Sequence, residues 1–284
     1  MTPEERQALQ LSVPCDYDTD PERYRLGMRS ARAHTAADLY GRVAQLLGEL
    51  GASTVLDVGC ADGALRAALP APGPWLVGLD SSETLLRDHP PPVLRAGATR
   101  LPVRDCAVDA VTALNVLYHL PDPMPALHEA RRVLRPGGHL LAATIARTDS
   151  PEFSAYWTRS ATGFDAEDAP GLLARVFDSI AVFSWNAPLV TLPDAAAIRD
   201  YLVGRQVPTE VAVAAAEELH TPLHVTKRGA LIVAGRDRWP PPRRADRAAN
   251  GAAGSPRAIR RPTPPGVARK PSGGRRATPH PVPA

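Results

Sequence analysis

Aromatic residues make up only 5% of the 284 residues, and lysine is nearly missing: Lys227 and Lys270 stand against 31 arginines. The three cysteines, Cys15, Cys60 and Cys106, lie far apart. None of them forms a pair at metal-ligand spacing, so neither a disulfide framework nor a cysteine metal site is expected, and a reducing compartment is. No apolar run is long enough to cross a bilayer, and the charged start Met1-Thr2-Pro3-Glu4-Glu5-Arg6 has no apolar signal core. A cytoplasmic protein without metal or membrane partner is the expectation.

Charge is present but unevenly placed. The net charge is +3, yet residues 239–284 carry ten Lys or Arg against the single acid Asp246, which leaves the rest of the chain acidic by six. That stretch also holds eleven prolines and few aliphatics, so it cannot bury enough surface to offset chain entropy and should be a disordered Pro/Arg-rich tail over 238–284. Arginine-rich disorder can neutralise phosphates, but arginine dominates the basic residues of the whole chain. The single aromatic of the tail, Trp239, gives no interleaved stacking platform, so a nucleic-acid partner is not expected. The remaining residues, with 44% hydrophobic content over the chain, are enough for a full core.

The informative stretch is Thr54-Val55-Leu56-Asp57-Val58-Gly59-Cys60-Ala61-Asp62-Gly63. An aliphatic run containing an acid reads as a buried parallel strand. A glycine-punctuated turn follows, and the helix beginning at Gly63 is closed by Pro70. Strand, turn and helix are the first unit of a nucleotide-binding α/β sheet, whose ligands sit beyond the carboxyl ends of the strands. The turn lacks the Gly-x-Gly-x-x-Gly spacing that lets backbone N–H groups approach a pyrophosphate. Asp57 and Asp62 would moreover repel one. The acids suit a cofactor with a positive centre and no phosphate, and S-adenosylmethionine fits, with its sulfonium and ammonium. The second strand ends in Asp80, 23 residues after Asp57, a spacing that suits an acid accepting ribose hydroxyls. Ser81 or Ser82 can cap the helix after it.

The run Val55 to Gly63 resembles the first motif of the class I S-adenosylmethionine-dependent methyltransferases, with Ala61 where that pattern usually has glycine. Tyr118-His119-Leu120-Pro121-Asp122 and Ala130 to Gly138 also resemble their counterparts there, especially in the branch that includes ubiquinone and menaquinone C-methyltransferases. The resemblance implies a Rossmann-like α/β fold with a seven-stranded sheet and an antiparallel last strand. It gives Asp57 and the backbone of Gly59, Cys60 and Ala61 to the methionine end of the cofactor, completed near Leu114 and Asn115. Asp80, with Ser81 beside it, goes to the ribose. Gly97 stands where the family commonly has an adenine-binding acid, so adenine falls to Ala98 and to apolar contact from Leu101.

Along the chain, residues 1–40 read as an N-terminal helical cap, either a solvated entry or a cover over the cofactor. Residues 41–237 are expected to form the methyltransferase domain that the resemblance implies. Within it, helices are expected at Met124–Leu134 and Asp168–Phe177 and strands at Ser179–Trp185 and Gly229–Arg236. A helical insertion at 193–227 is either a lid or simple sheet cover. The expected reaction is methyl transfer to a small acceptor. The alternatives are an RNA methyltransferase, which the acidic body opposes, and a non-catalytic S-adenosylmethionine-binding protein. Tyr118 and His119, after the fourth strand, are the candidate catalytic residues: His119 acts as a general base or else packs and holds the loop. Neither the acceptor nor the oligomeric state is legible.

Overall fold

The computed structural model describes residues 15–237 and, as backbone, 257–259. The first fourteen residues of the expected cap and the remainder of the expected tail lie outside the described residues.

Three helices precede the sheet: α1 (Cys15–Thr19), α2 (Pro21–His34) and α3 (Leu39–Glu49). Asp20 caps α2, with proline in its first turn, and the Asp38 carboxylate accepts the Gly41 N–H of α3 at 2.8 Å. Helical spacing puts Val43, Leu46 and Leu47 of α3 on the buried face. Then follow β1 (Thr54–Val58), α4 (Ala64–Ala68), β2 (Trp75–Asp80), α5 (Glu83–Leu86), β3 (Val93–Arg95) and β4 (Val108–Leu114). A single 3₁₀ turn, Leu117–His119, leads to α6 (Met124–Val133) and β5 (Leu134–Ile145). The domain closes with α7 (Ala169–Ala174), β6 (Ser179–Leu192), α8 (Ala195–Val203), α9 (Thr209–Glu218) and β7 (Leu223–Gly235).

The strand order is β3-β2-β1-β4-β5-β7-β6, with β8 (Arg257–Ile259) added antiparallel at the β6 edge. Strands β1 to β5 are parallel, while β7 runs antiparallel to both of its neighbours. The seven-stranded sheet expected from the sequence is therefore present. Alternation along the strands feeds two cores. Leu56 and Val58 of β1 pack with Leu127 and Val133 of α6 and Leu173 of α7 on one face. Val55 packs with Val43 and Leu47 of α3 and Leu65 of α4 on the other. Each such fully buried aliphatic contributes roughly 1.5–3 kcal/mol of transfer free energy.

Several boundaries differ from expectation. The helix expected at Asp168–Phe177 stops at Ala174, although Val176 and Phe177 beyond it are buried. Strand β6 runs on past Trp185 to Leu192, and β7 starts at Leu223 rather than Gly229. Pro188 reads as a strand breaker, but it sits at a register shift where its missing N–H costs the ladder little. The last residues expected in the insertion, 223–227, are consequently strand. The helices α8 and α9 close this long hairpin, and Ile198, Tyr201 and Ala212 form a third core with Val190, Leu192 and Val225 from the extension.

Candidate cofactor and acceptor site

The sheet reverses its order between β1 and β4, and the turns leaving these two strands meet there. Gly59 adopts φ 71°, and a Cβ at this position would lie 2.2 Å from Val116 Cγ2 in the loop after β4. Glycine is required at this close approach. The rest of the turn is bonded inward. The Gly59 and Cys60 N–H groups donate to the Leu79 carbonyl at 2.7 and 3.1 Å, and the Gly63 N–H donates to the Cys60 carbonyl at 3.0 Å. The Ala61 N–H donates to Asp80 Oδ2 at 2.9 Å. The N–H groups of Gly59, Cys60 and Ala61 are thus occupied, and carbonyl oxygens are what this backbone has to offer a ligand. A turn so arranged suits a cation and not a phosphate, which needs converging N–H donors.

Asp57 is 3% exposed and accepts the Thr112 hydroxyl at 2.6 Å. Burial pushes its carboxyl up to about 7 against the Thr112 hydrogen bond, and the Asp80 charge adds to the rise. Asp80 is also raised by burial, while the Ser82, Ala61 and Ser81 N–H groups favour its charged form. Asp62, the third carboxylate of the turn, pairs with Arg32 of α2 at 3.0 Å. Between α3 and the turn lies an open cleft of about 390 Å³, lined by Arg32, Tyr40, Asp62 and Gly63 among others. The Tyr40 hydroxyl is pushed up to about 12 by burial, then by the Asp57 and Asp62 charges.

The other expected cofactor residues fall at the same edge, with qualifications. The Cys60 side chain is buried, with its Sγ against Gly78, and burial raises its thiol pKa, so only its backbone belongs to the turn. Ser82, not Ser81, is the helix cap: its Oγ accepts the Leu85 N–H at 3.2 Å. Ala98 and Leu101 border an apolar void of about 10 Å³ with Val58 and Leu117, far too small for an adenine ring. Leu114 is buried at the end of β4, and Asn115 takes φ 58° with its N–H on the Ala143 carbonyl at 2.9 Å.

Helices α1 and α2 of the cap touch the turns that follow β1, β2 and β4. Asp18 Oδ1 accepts the Ser82 hydroxyl at 2.5 Å, Arg32 holds Asp62, and Tyr17 Oη lies 3.0 Å from His119 Nε2. Burial, and then the charges of Asp62, Tyr40 and Asp80, raises the pKa of Tyr24. His119 ends the 3₁₀ turn, with its ring 4.3 Å from that of Tyr118, so both candidate catalytic residues stand at the carboxyl edge of the sheet. Sequence reasoning missed Asp18, Tyr40, Thr112 and Arg159, whose guanidinium sits 5.2 Å over the Tyr118 ring. Of these, only Thr112 had a usable signal, as a polar residue within the apolar run Ala110–Leu114.

Residues 56–142 match the methyltransferase domain family. A ubiquinone biosynthesis O-methyltransferase from Alkalilimnicola ehrlichii is 36% identical over 120 residues, which span 37% of this chain and 47% of that one. An uncharacterized 37.1 kDa protein in a Streptomyces fradiae transposon is 31% identical over 185 residues, 57% of this chain and 53% of that one. The chain thus spans about half the length of the curated relatives it matches. Among solved structures, a methyltransferase dependent on S-adenosylmethionine from Thermotoga maritima superposes with a TM-score of 0.50 at 18% identity, covering 77% of this chain and 95% of that one, a likeness of fold.

Proposed function

We propose that this chain, whose domain and fold are those of the class I S-adenosylmethionine-dependent methyltransferases, transfers a methyl group from S-adenosylmethionine to a small-molecule acceptor. One observation carries the reading. Two buried strand-end carboxylates, Asp57 and Asp80, flank a turn at the β1/β4 switch point in which the Gly59, Cys60, Ala61 and Gly63 N–H groups are already bonded within the chain. Such a site offers negative charge and carbonyl oxygens, which match an ammonium, a sulfonium and ribose hydroxyls.

In this reading the bound cofactor supplies the reactive methyl group and the protein supplies position and charge. Asp57 faces the methionine ammonium, Asp80 the ribose, and Ala98 and Leu101 the adenine, with Leu114 and Asn115 completing the methionine end. The void beside Ala98 must widen for the ring, or the adenine must lie outside it. The cap, through Tyr17, Asp18 and Arg32, closes over the bound molecule and excludes water. Tyr118 forms a wall of the acceptor space, and His119 takes the acceptor's proton, with Tyr17 holding its ring. The relative's name supports an oxygen acceptor. A cytoplasmic location belongs to the same reading; among the described residues no helix is long and apolar enough to cross a membrane.

Calorimetry with S-adenosylmethionine and with NAD tests the cofactor. Tight binding of the first and none of the second is expected, and the reverse overturns the proposal. Release of S-adenosylhomocysteine across a panel of phenolic, carboxylate, amine and RNA acceptors separates small-molecule transfer from RNA transfer and from cofactor binding without turnover.

A further inference from the structure

The chain between β5 and α7 folds back onto the loop that follows β4. Its returning end is pinned to β5: the Thr144 hydroxyl donates to the carbonyl of buried Phe164 at 2.6 Å, and the Ala166 N–H donates to the Ile145 carbonyl at 3.1 Å. An added Cβ at Gly163 would lie 3.2 Å from Pro123 Cδ and 3.5 Å from the Leu120 carbonyl oxygen. Residues 159–165 therefore rest directly on the loop that carries Tyr118 and His119.

Fully buried Asp165 organises this segment. Its Oδ1 accepts Arg159 Nη1 at 2.5 Å and the Thr162 hydroxyl at 2.6 Å. Its Oδ2 accepts the Thr162 N–H at 2.9 Å and Arg147 Nε at 3.1 Å. The Arg159 side chain is itself only 8% exposed. Desolvation offsets much of the attraction in a buried ion pair, so such a pair is a weak source of net stability. What it fixes here is direction. The guanidinium is planar, and two of its nitrogens are engaged, Nη1 by Asp165 and Nη2 by Thr162 Oγ1 at 3.4 Å. The group so held lies 5.2 Å from the Tyr118 ring centroid, over the ring. The Tyr118 ring adjoins that of His119 at 4.3 Å, and His119 meets Tyr17 of the cap at 3.0 Å. Two elements remote in sequence thus hold the Tyr118–His119 pair, the cap through Tyr17 and residues 159–165 through Arg159.

We propose that Arg159 is a positioning residue for methyl transfer: clamped by Asp165 and Thr162, it orients the Tyr118 ring toward the acceptor and keeps the adjoining His119 in place. The inference rests on reading the Tyr118–His119 turn as the acceptor side of the site. With the guanidinium over one face, Tyr118 cannot take a flat acceptor on that side, so the angle of its ring decides where its hydroxyl stands. A misplacement of about 1 Å can cost on the order of 10²-fold in rate.

The test compares wild type with Arg159→Lys, which keeps a cation for Asp165 but has no plane to lay on Tyr118. The full chain is labelled with fluorotyrosine, and among its six tyrosines Tyr118 is identified by the fluorine NMR resonance missing from Tyr118→Phe. With S-adenosylhomocysteine bound, Arg159→Lys should broaden or split that resonance, which is single and sharp in the wild type. Turnover per folded molecule, with whichever phenolic, carboxylate or amine acceptor releases S-adenosylhomocysteine, should fall about tenfold or more. Affinity for S-adenosylhomocysteine should stay unchanged. A Tyr118 resonance that remains single and sharp, or a turnover that is kept, overturns the proposal. Should Arg159→Lys fail to fold, Thr162→Val removes one bond to Arg159 and one to Asp165 while leaving their ion pair. It should move both readouts the same way to a smaller extent, and no movement in either overturns the proposal. No release with any acceptor overturns the methyl-transfer reading and the positioning role with it. Release in the wild type with a failed Arg159 comparison overturns the positioning role alone.

Discussion

The Asp57 carboxylate takes the Thr112 hydroxyl at 2.6 Å across the β1–β4 register, so its first partner is its neighbouring strand. Its carboxyl, ordinarily at 3.8, is pushed up to about 7 mainly by burial. Below about pH 7 a proton must leave before Asp57 can face a cation, so affinity for S-adenosylmethionine should fall up to tenfold per pH unit there and level off above. Stability has the opposite sign: between about pH 4 and 7 the native chain keeps a proton that the unfolded chain releases, so unfolding becomes easier as pH rises. Asp57→Asn should flatten both profiles. Calorimetry from pH 5.5 to 8.5 and denaturant melts from pH 4 to 7 check this. A wild-type affinity independent of pH would remove Asp57 from the ammonium.

Asp80 has a double duty, since the same carboxylate that is assigned to the ribose also pins the Ala61 and Ser82 N–H groups, each at 2.9 Å. Asp80→Ala should weaken cofactor binding by about 2–3 kcal/mol through lost charge-assisted hydrogen bonds. It should also lower the melting temperature, because two N–H groups lose their acceptor. Parallel calorimetry and thermal melts separate the two effects.

Ala61 adopts φ 45°, a left-handed conformation in which a Cβ costs about 1–2 kcal/mol. Ala61→Gly should relieve that strain, less the added freedom of glycine in the unfolded chain, for a net gain of up to about 1 kcal/mol. Cofactor affinity should stay level or improve. A destabilised variant would mean that the alanine methyl contributes packing that outweighs its backbone cost.

His119 and Tyr17 form one unit at 3.0 Å. If His119 takes the acceptor's proton, His119→Asn should cut turnover by about 10²-fold with fold and cofactor affinity intact. Tyr17→Phe should cost less, as a loss of orientation only. Should His119→Asn instead lower stability while turnover per folded molecule persists, the histidine is a clasp for the cap.

A chain stopped at Arg238 should keep its melting temperature and its affinity for S-adenosylmethionine, because β7 completes the core by Gly235. The only described part of the removed stretch is the three-residue strand β8 at the sheet edge. A drop in either quantity would assign 239–284 a part in the fold or the site.

Sequence alone determined the order of the parallel units and the two acids at their ends. Period-2 and period-3.6 patterns, a glycine-rich turn and the spacing of Asp57 and Asp80 are local features, set by backbone sterics and by which face must be buried. The absence of a phosphate-binding turn was equally plain, because it follows from glycine positions. What the turn's N–H groups bond to was not legible, since their partners, Leu79 and Asp80, come from the next strand. Nor was the long β6–β7 hairpin, where a register shift absorbs Pro188 and the helices of the insertion bury the far side chains. Only the tertiary structure brought Tyr17 to His119, 102 positions away, and Lys227 to Asp149, 78 positions away. Such contacts depend on where whole elements dock, which is settled by burial summed over many side chains and leaves no mark on the residues that happen to meet.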